Sequence, residues 1–217
     1  MQIVIIGASG FIGSALTTEA LQRGHQVRAL VRDTGKLAAL QQQYPQQLEV
    51  ISVDALDRAA LLTALAQPQL VISAFSGHSD ADVAGYYQRG FANILAAVKQ
   101  SAAERFLLVG GAASLLLPDG SKLLDSPDFP AAYRGTAESA YAALQQLRAE
   151  TCLNWSYLSP AAEIFPGPAT GQFRIGGDVL LTDADGRSRI STGDYAIALL
   201  NEAEQPLHSR QRFSVAY

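Results

Sequence analysis

The stretch MQIVIIGASGFIG at residues 1–13 decides the fold. Its first part, Gln2–Ile6, is short, apolar and rich in β-branched residues, which is typical of a strand buried on both faces of a parallel sheet. A glycine-rich turn at residues 7–13 follows at once, and the spacing of apolar residues predicts a helix over residues 14–23. A strand, a glycine turn and a helix in this order form the context that a dinucleotide-binding fingerprint requires.

Each glycine of this glycine turn (residues 7–13) has a predicted purpose. Gly7 allows the tight turn, Gly10 lets a pyrophosphate approach the backbone, and Gly13 lets the helix pack closely on the strand. The free N–H groups at the start of the helix would then face the phosphates. The glycines are spaced G-x-x-G-x-x-G and not G-x-G-x-x-G, so the alternative is an ordinary tight turn between a strand and a helix.

Composition excludes several classes of protein. The 217 residues, 48% of them apolar, are enough for the core of one domain. The net charge of -4 and the lack of a basic tract argue against nucleic acid as a partner. No apolar run could span a bilayer, and no charged leader precedes the first strand, so we expect a cytoplasmic protein without a membrane partner. The single Cys152 excludes an internal disulfide and cannot hold a metal alone.

The end of the second predicted strand, Gln26–Val31, indicates which dinucleotide is bound. An acidic residue at this position would accept a hydrogen bond from the ribose 2′-hydroxyl of NAD. The sequence has Arg32 there, which suits a 2′-phosphate, and Lys36 adds a second positive charge. The alternative is a solvated basic strand end. We therefore expect NADP(H), with NAD(H) as the second choice, and we expect Thr34 to cap a helix over residues 36–43.

Four further strands are predicted at residues 48–53, 69–74, 105–109 and 154–158. By the switch-point rule, a cofactor runs across the carboxyl ends of such strands. Asp54 at one of these ends either accepts from the adenine amino group or is only a turn residue. His78 is either an acid–base group or an incidental loop histidine. The small residues Gly110 and Gly111 leave room for a flat nicotinamide, although a plain glycine turn would look the same.

The remaining pattern predicts one α/β domain over residues 1–217. Helices are expected at residues 58–66 (capped by Asp57), 86–100, 133–150 and 193–201, and short strands at 172–175, 179–181 and 212–217. Strands that alternate with helices over residues 1–160 predict a doubly wound parallel sheet, the Rossmann fold, as the cofactor-binding core. The long loop at 115–132 is of a kind that is often functional. Residues 161–217 are expected to form a small segment that covers the acceptor.

These features together resemble the short-chain dehydrogenase/reductase superfamily, and most closely its atypical NAD(P)H-binding branch of candidate NADH-flavin reductases, related to biliverdin reductase B. The resemblance extends over essentially the whole chain. Its most specific parts are GASGFIG at 7–13, VRD at 31–33, VGGAAS at 109–114, WSYLSPA at 155–161, and IS at 190–191 with DYA at 194–196.

The resemblance implies a cofactor site in three parts. The pyrophosphate would be held by Gly7, Ala8, Ser9, Gly10, Phe11 and Ile12. The 2′-phosphate would be held by Arg32 and Lys36. The rest of the cofactor would be lined by Asp54, Ala55, Ala74, Phe75, Ser76, Gly110, Gly111, Pro160 and Ala161.

The sequence departs from the dehydrogenases at the catalytic pair Tyr-x-x-x-Lys, in which the lysine lowers the pKa of the tyrosine. The only lysines are Lys36, Lys99 and Lys122, and the residues four positions before them are Arg32, Leu95 and Pro118. Tyr133 stands near the expected helix but is followed at the fourth position by Ala137. A flavin needs less help, because its N5 accepts hydride and its protons can come from solvent. The missing pair therefore favours flavin reduction over carbonyl reduction.

Two functions follow as hypotheses. The first is an NADPH-dependent reductase of a flavin or another planar small molecule, with flavin as a substrate and not as a bound prosthetic group; Ser114 and Tyr133 are then the predicted polar groups near the nicotinamide. The second is a non-catalytic module, similar to the nitrogen-metabolite-repression regulators, that binds NADP(H) and reports its redox state to a protein partner. Quinone reduction is a close enzymatic relative of the first, and an isomerase or epimerase is a more distant one.

Overall fold

An eight-stranded sheet carries the fold in the computed structural model, which describes residues 1–78 and 80–217. The ten strands of the described residues, eight of them in this sheet, are β1 (Gln2–Ile6), β2 (Gln26–Val31), β3 (Leu48–Ser52), β4 (Leu70–Ser73), β5 (Arg105–Val109), β6 (Trp155–Ser159), β7 (Glu163–Phe165), β8 (Arg174–Gly176), β9 (Arg189–Ser191) and β10 (Gln211–Ala216). The order across the sheet is β3-β2-β1-β4-β5-β6-β10-β8, and only β8 runs antiparallel to its neighbour. The strands β7 and β9 form a separate parallel pair.

Helices cover both faces of this sheet. They are α1 (Phe11–Gln22), α2 (Ala38–Gln43), α3 (Arg58–Ala64), α4 (Val83–Gln100), α5 (Ala131–Arg148) and α6 (Thr192–Glu204). On one face Ile3 and Ile5 of β1 pack in a core with residues of α1 and α6, and on the other Val4 and Ile6 pack with residues of α3, α4 and α5. Because β1 is buried on both faces, its apolar run shows no polar alternation. The predicted doubly wound parallel sheet is confirmed.

The helix starts differ from the predictions where capping decides them. Helix α1 begins at Phe11, three residues earlier than predicted, because Gly10 has the extended backbone of an N-cap residue. Asp33, and not the predicted Thr34, caps the next segment, since its Oδ1 accepts from the Gly35 N–H at 3.0 Å. This segment is a 3-10 turn that leads into α2. The prediction that Asp57 caps α3 is confirmed, with the Ala60 N–H donating at 2.9 Å.

Residues 161–217 contribute to the core in addition to any covering role. Strand β10 lies in the main sheet, parallel to β6, and α6 packs against α1. The strand predicted at residues 179–181 is wrong: Val179 makes only an isolated bridge to Leu116. Strand β7, where no strand was predicted, pairs with β9 outside the main sheet.

A buried carboxylate fixes the start of α6 to the loop before β8. Asp194 accepts hydrogen bonds at 2.7 Å from the Thr170 N–H, the Thr170 hydroxyl and the Gly171 N–H, and at 2.8 Å from the Tyr217 hydroxyl. Burial alone would raise the pKa of Asp194, but these hydrogen bonds hold it below its ordinary value. None of the helices within residues 1–78 and 80–217 has both the length and the apolar character needed to cross a membrane.

Candidate functional site

A cavity of about 280 Å³ opens at the carboxyl ends of β1, β2 and β4. The order of the sheet reverses between β1 and β4, so the cavity lies at the topological switch point, where ligands of this fold class bind. The predicted cofactor residues that line it are Gly7, Ser9, Gly10, Arg32, Lys36, Ala55, Ala74, Phe75 and Ser76. His78 and Tyr86 also line it. We call this space the strand-end cavity.

The three glycines of the turn are needed for different reasons. Gly7 has a φ of +78°, and a Cβ there would lie 2.7 Å from the Ala74 carbonyl oxygen. A Cβ on Gly13 would lie only 2.0 Å from the Gly7 oxygen, so the packing of α1 on β1 excludes any side chain. A Cβ on Gly10 would contact only the Gly7 oxygen, at 3.2 Å. Close packing therefore explains Gly7 and Gly13. At Gly10, the space that a side chain would occupy is open toward the cavity that this residue lines.

The start of α1 provides donors for an anion. No side chain caps this helix, and Gly10 is its N-cap residue. The first N–H groups of a helix have no partner within the helix, and the helix dipole favours negative charge there. The turn and α1 thus fit a pyrophosphate. Ala8 is fully buried, Ile12 is half-buried and Phe11 is about half exposed, so these three predicted residues contribute backbone or rim and do not line the cavity itself.

Two cations stand at the β2 end of the strand-end cavity. In the described part of the chain, neither Arg32 nor Lys36 has a carboxylate within 4.0 Å. The neighbouring carboxylate of Asp33 faces the Gly35 N–H. Arg32 Nη1 donates to the Tyr86 hydroxyl at 3.4 Å, and its Cζ lies 5.9 Å from the centre of the Tyr86 ring. Two side chains of like charge without acidic partners fit a phosphate group.

Asp54 is placed as a turn residue. Its Oδ1 accepts from the Leu56 N–H at 2.8 Å and from the Tyr86 hydroxyl at 3.4 Å. It is not part of the cavity lining, although Ala55 beside it is. Of the two roles left open by the sequence, the structure therefore supports the turn, and contact with adenine stays a prediction.

An aromatic wall closes one side of the strand-end cavity. The Phe75 ring packs on Tyr87 of α4 at 5.8 Å between centres and on Tyr86 at 5.5 Å. A Cβ on Gly90 would lie 2.4 Å from the Phe75 ring, so this glycine makes the room that Phe75 occupies. Sequence reasoning missed Tyr86 and Gly90. They are four residues apart on one face of α4, which starts at Val83 and not at Tyr86 as predicted, and the helical spacing could have shown them together.

The small residues after β5 have a packing reason. A Cβ on Gly110 would lie 2.1 Å from the ring of Tyr157 on β6, and the Gly111 N–H donates to the Tyr157 hydroxyl at 2.9 Å. The plain structural reading of these glycines is therefore supported. Gly110, Gly111, Pro160 and Ala161 lie just beyond the ends of β5 and β6 and do not line the strand-end cavity. Their contact with a nicotinamide stays a prediction.

The two predicted catalytic groups lie apart from the strand-end cavity. Ser114 is 5% exposed, and its hydroxyl and carbonyl accept from Arg212 Nη1 at 3.0 and 3.1 Å, while Arg212 also pairs with Asp178. This location favours a structural role for Ser114 over contact with an acceptor. Tyr133 lies in the first turn of α5 and is 61% exposed. His78 is exposed at the cavity. Chemical roles for these three residues remain predictions.

Comparison with known proteins agrees with this geometry. The model of the NAD(P)H-binding family matches residues 7–203. The protein YwnB of Bacillus subtilis is 35% identical over 99% of this chain and 98% of its own length. A crystal structure from Bacteroides thetaiotaomicron, named as a candidate epimerase, is 36% identical with a TM-score of 0.91 and covers 99% of this chain and 96% of its own. Another from Streptococcus pneumoniae, named as a candidate NADH-flavin reductase, is 33% identical with a TM-score of 0.86 and covers 100% and 99%.

Proposed function

Because the chain belongs to the NAD(P)H-binding family, we propose that it is a reductase that uses NADPH to reduce a flavin or a flavin-like planar small molecule. The observation that carries the choice of NADPH is the pair of cations, Arg32 and Lys36, which line the strand-end cavity without acidic partners in the described chain. The membership and the resemblance to the NADH-flavin reductase branch, both expected from the sequence, support the reaction class.

The residues of the strand-end cavity divide the work of binding. Gly10, which has no side chain, would let the pyrophosphate approach, and the first N–H groups of α1 would donate to it, while Arg32 with Lys36 would hold the 2′-phosphate. Phe75, fixed by Gly90, would keep the wall of the cavity rigid, so that little ordering is needed on binding. When it is bound, the dihydronicotinamide supplies a hydride.

The acceptor is proposed from what the chain lacks and from its relatives. The sequence has no Tyr-x-x-x-Lys pair, so it offers no lysine-activated tyrosine that would protonate a carbonyl oxygen. A flavin can take its proton from solvent, and the protein then needs only to orient two planar rings. The name of the Streptococcus pneumoniae structure agrees with this choice. We propose that flavin binds reversibly as a substrate and is not a bound prosthetic group. We also propose that the protein is cytoplasmic.

A second candidate, a redox sensor that binds NADP(H) and acts through a protein partner, is favoured by one observation. The strand-end cavity lies at β1, β2 and β4, and Ser114 and Tyr133, the polar groups predicted to act on an acceptor, stand outside it. A protein that only binds the dinucleotide needs no polar groups beside an acceptor, so this placement of Ser114 and Tyr133 is compatible with a sensor.

A steady-state assay separates the two candidates. Purified protein is supplied with NADPH or NADH and, in turn, with FMN, FAD, riboflavin or a quinone, and the loss of nicotinamide absorbance is followed. We expect turnover with at least one flavin, and faster turnover with NADPH than with NADH. Binding of NADPH without turnover of any of these acceptors would refute the reductase and favour the sensor.

A further inference from the structure

Three polar residues joined by hydrogen bonds lie along one wall of the strand-end cavity: Arg32 after β2, Asp54 after β3 and Tyr86 on α4. The Tyr86 hydroxyl accepts from Arg32 Nη1 at 3.4 Å and donates to Asp54 Oδ1 at 3.4 Å. Tyr86 itself is 4% exposed, so it is a fixed element of the wall. Burial raises the pKa of Tyr86 and Arg32 lowers it, while Asp54 raises it further; the net direction is upward, which keeps the hydroxyl protonated as a donor to Asp54.

This arrangement sets two opposite charges close together without letting them pair. Arg32 and Asp54 are each one hydrogen bond away from the same hydroxyl, yet they are not within 4.0 Å of each other, the ion-pair distance. An exposed arginine and a nearby carboxylate attract each other, although modestly in water. Here the Tyr86 ring also lies beside the guanidinium, with 5.9 Å between Cζ and the ring centre, which adds a cation–π attraction. Both contacts hold Arg32 on the Tyr86 side.

We propose that Tyr86 is a positioning residue that determines cofactor specificity: its hydroxyl keeps Arg32 from pairing with Asp54 and so leaves the guanidinium without a carboxylate partner, available to the 2′-phosphate of NADPH. The proposal rests on the proposed preference for NADPH and names the residue that maintains it. The turn after β3 uses the Asp54 side chain, whose Oδ1 accepts from the Leu56 N–H, so an acceptor is required at this position. The tyrosine separates that turn acceptor from the phosphate-binding cation.

The test is the ratio of the dissociation constants for NADPH and NADH, measured by calorimetry without any acceptor. In Tyr86→Phe the ring stays but the hydroxyl is lost, and Arg32 can pair with Asp54. We expect the Kd for NADPH to rise about threefold to fivefold, the scale of one exposed ion pair, and the Kd for NADH to change less than about twofold. Tyr141→Phe is the matched control, because it removes a tyrosine hydroxyl from α5 at a position that does not line the cavity, and it should change neither constant.

A second substitution shows whether Asp54 is the competitor. Asp54→Asn keeps the Oδ1 acceptor for the Leu56 N–H but removes the charge. Alone, Asp54→Asn should change the Kd for NADPH by less than about twofold, and in the double variant with Tyr86→Phe we expect this Kd to return to within about twofold of the original protein. The rescue, measured against the single Asp54→Asn variant, is the coupling between the two positions. Thermal melting of each variant confirms that it is folded. A merely structural tyrosine would not be rescued by a change at Asp54.

Three outcomes would overturn the inference. The first is an equal rise of both dissociation constants in Tyr86→Phe, the second is no rise, and the third is a rise that Asp54→Asn does not reverse. Arg32→Ala in the same assay separates this failure from failure of the proposed cofactor. If Arg32→Ala weakens NADPH selectively and Tyr86→Phe does not, only the role of Tyr86 is wrong. If Arg32→Ala is not selective, the NADPH preference is wrong and the inference falls with it.

Discussion

The glycine turn allows a prediction in which two similar substitutions damage different properties, one the stability and the other the binding of the dinucleotide. Gly10→Ala and Gly13→Ala each add one methyl group, three residues apart. The Cβ at position 13 would lie 2.0 Å from the Gly7 oxygen and 2.9 Å from the Gly7 carbonyl carbon, so the backbone must move. At position 10 the Cβ meets only the Gly7 oxygen at 3.2 Å, and the backbone there has a φ of -77°, which any residue adopts. Folding should therefore be damaged at position 13 and binding at position 10.

The magnitudes follow from these contacts. Overpacking at Gly13 costs about 1–3 kcal/mol or more, from which the better helix propensity of alanine recovers up to about 1 kcal/mol. We expect a net loss of about 2 kcal/mol, or about 4–8 °C in Tm for a chain of this size. Gly10→Ala loses about 0.5–1 kcal/mol as a poorer N-cap. Its methyl group would stand where the pyrophosphate must approach the backbone, and we expect the Kd for NADPH to rise at least about tenfold, or about 1.4 kcal/mol.

Thermal melting without ligand and calorimetric titration with NADPH measure the two effects separately. Gly177→Ala is the control, because its added Cβ meets nothing within 4 Å, and it should change neither the Tm nor the Kd. A Gly10→Ala protein that binds NADPH as well as the original would refute the phosphate-binding role of the turn. A Gly13→Ala protein with an unchanged Tm would refute the argument from close packing.

Three further predictions test other parts of the account. Arg32→Ala should weaken NADPH by about 1.5–3 kcal/mol, the value of one charge-assisted contact, and NADH much less; titration with both dinucleotides checks this, and equal weakening would make Arg32 structural. Asp194→Asn should lower the free energy of unfolding by about 2 kcal/mol at neutral pH. Because folding lowers the pKa of Asp194, the stabilisation by its carboxylate is present above the pKa of the unfolded chain and is lost as the pH falls below about 4. In urea titrations from pH 7 to 3, the free energy of unfolding should therefore depend less on pH in the variant than in the original protein. Parallel curves for the two proteins would contradict the account. Ser114→Ala should lower the Tm, because the buried hydroxyl that accepts from Arg212 is lost, whereas the exposed Tyr133 allows Tyr133→Phe without a change in Tm. A lower turnover rate with NADPH and a flavin at an unchanged Tm would support the predicted catalytic role of either residue, and full turnover in both variants would remove those roles.

The part of the fold nearest to the glycine turn could be predicted because its causes are local. The strand Gln2–Ile6, the turn and the basic end of β2 are contiguous in sequence, and each depends on properties of its own residues. The same holds for Asp57, whose capping bond reaches only three residues along the chain. At Asp33 and Thr34, two adjacent residues could both cap, and only the backbone conformation decides between them.

The parts that could not be predicted depend on contacts between distant residues. Strand β10 was expected only as a closing strand, and its place beside β6 follows from a pairing that no local pattern encodes. The hydrogen bond between Ser114 and Arg212 joins residues 98 positions apart, and no local pattern indicates it. The space beside Gly110 is occupied by the ring of Tyr157, which lies on another strand. Both neighbours come from distant parts of the chain and could not be predicted locally, and contact of these two residues with a ligand stays a prediction.

Hydride transfer from NADPH to a flavin is the central claim, and single-turnover stopped-flow mixing tests it most directly. Protein in excess is mixed with NADPH and FMN, and absorbance is followed at both the nicotinamide and the flavin bands. The account predicts that both bands decay together, well above the spontaneous rate, and more slowly with NADH. Tight binding of NADPH with both bands decaying only at the spontaneous rate would contradict it.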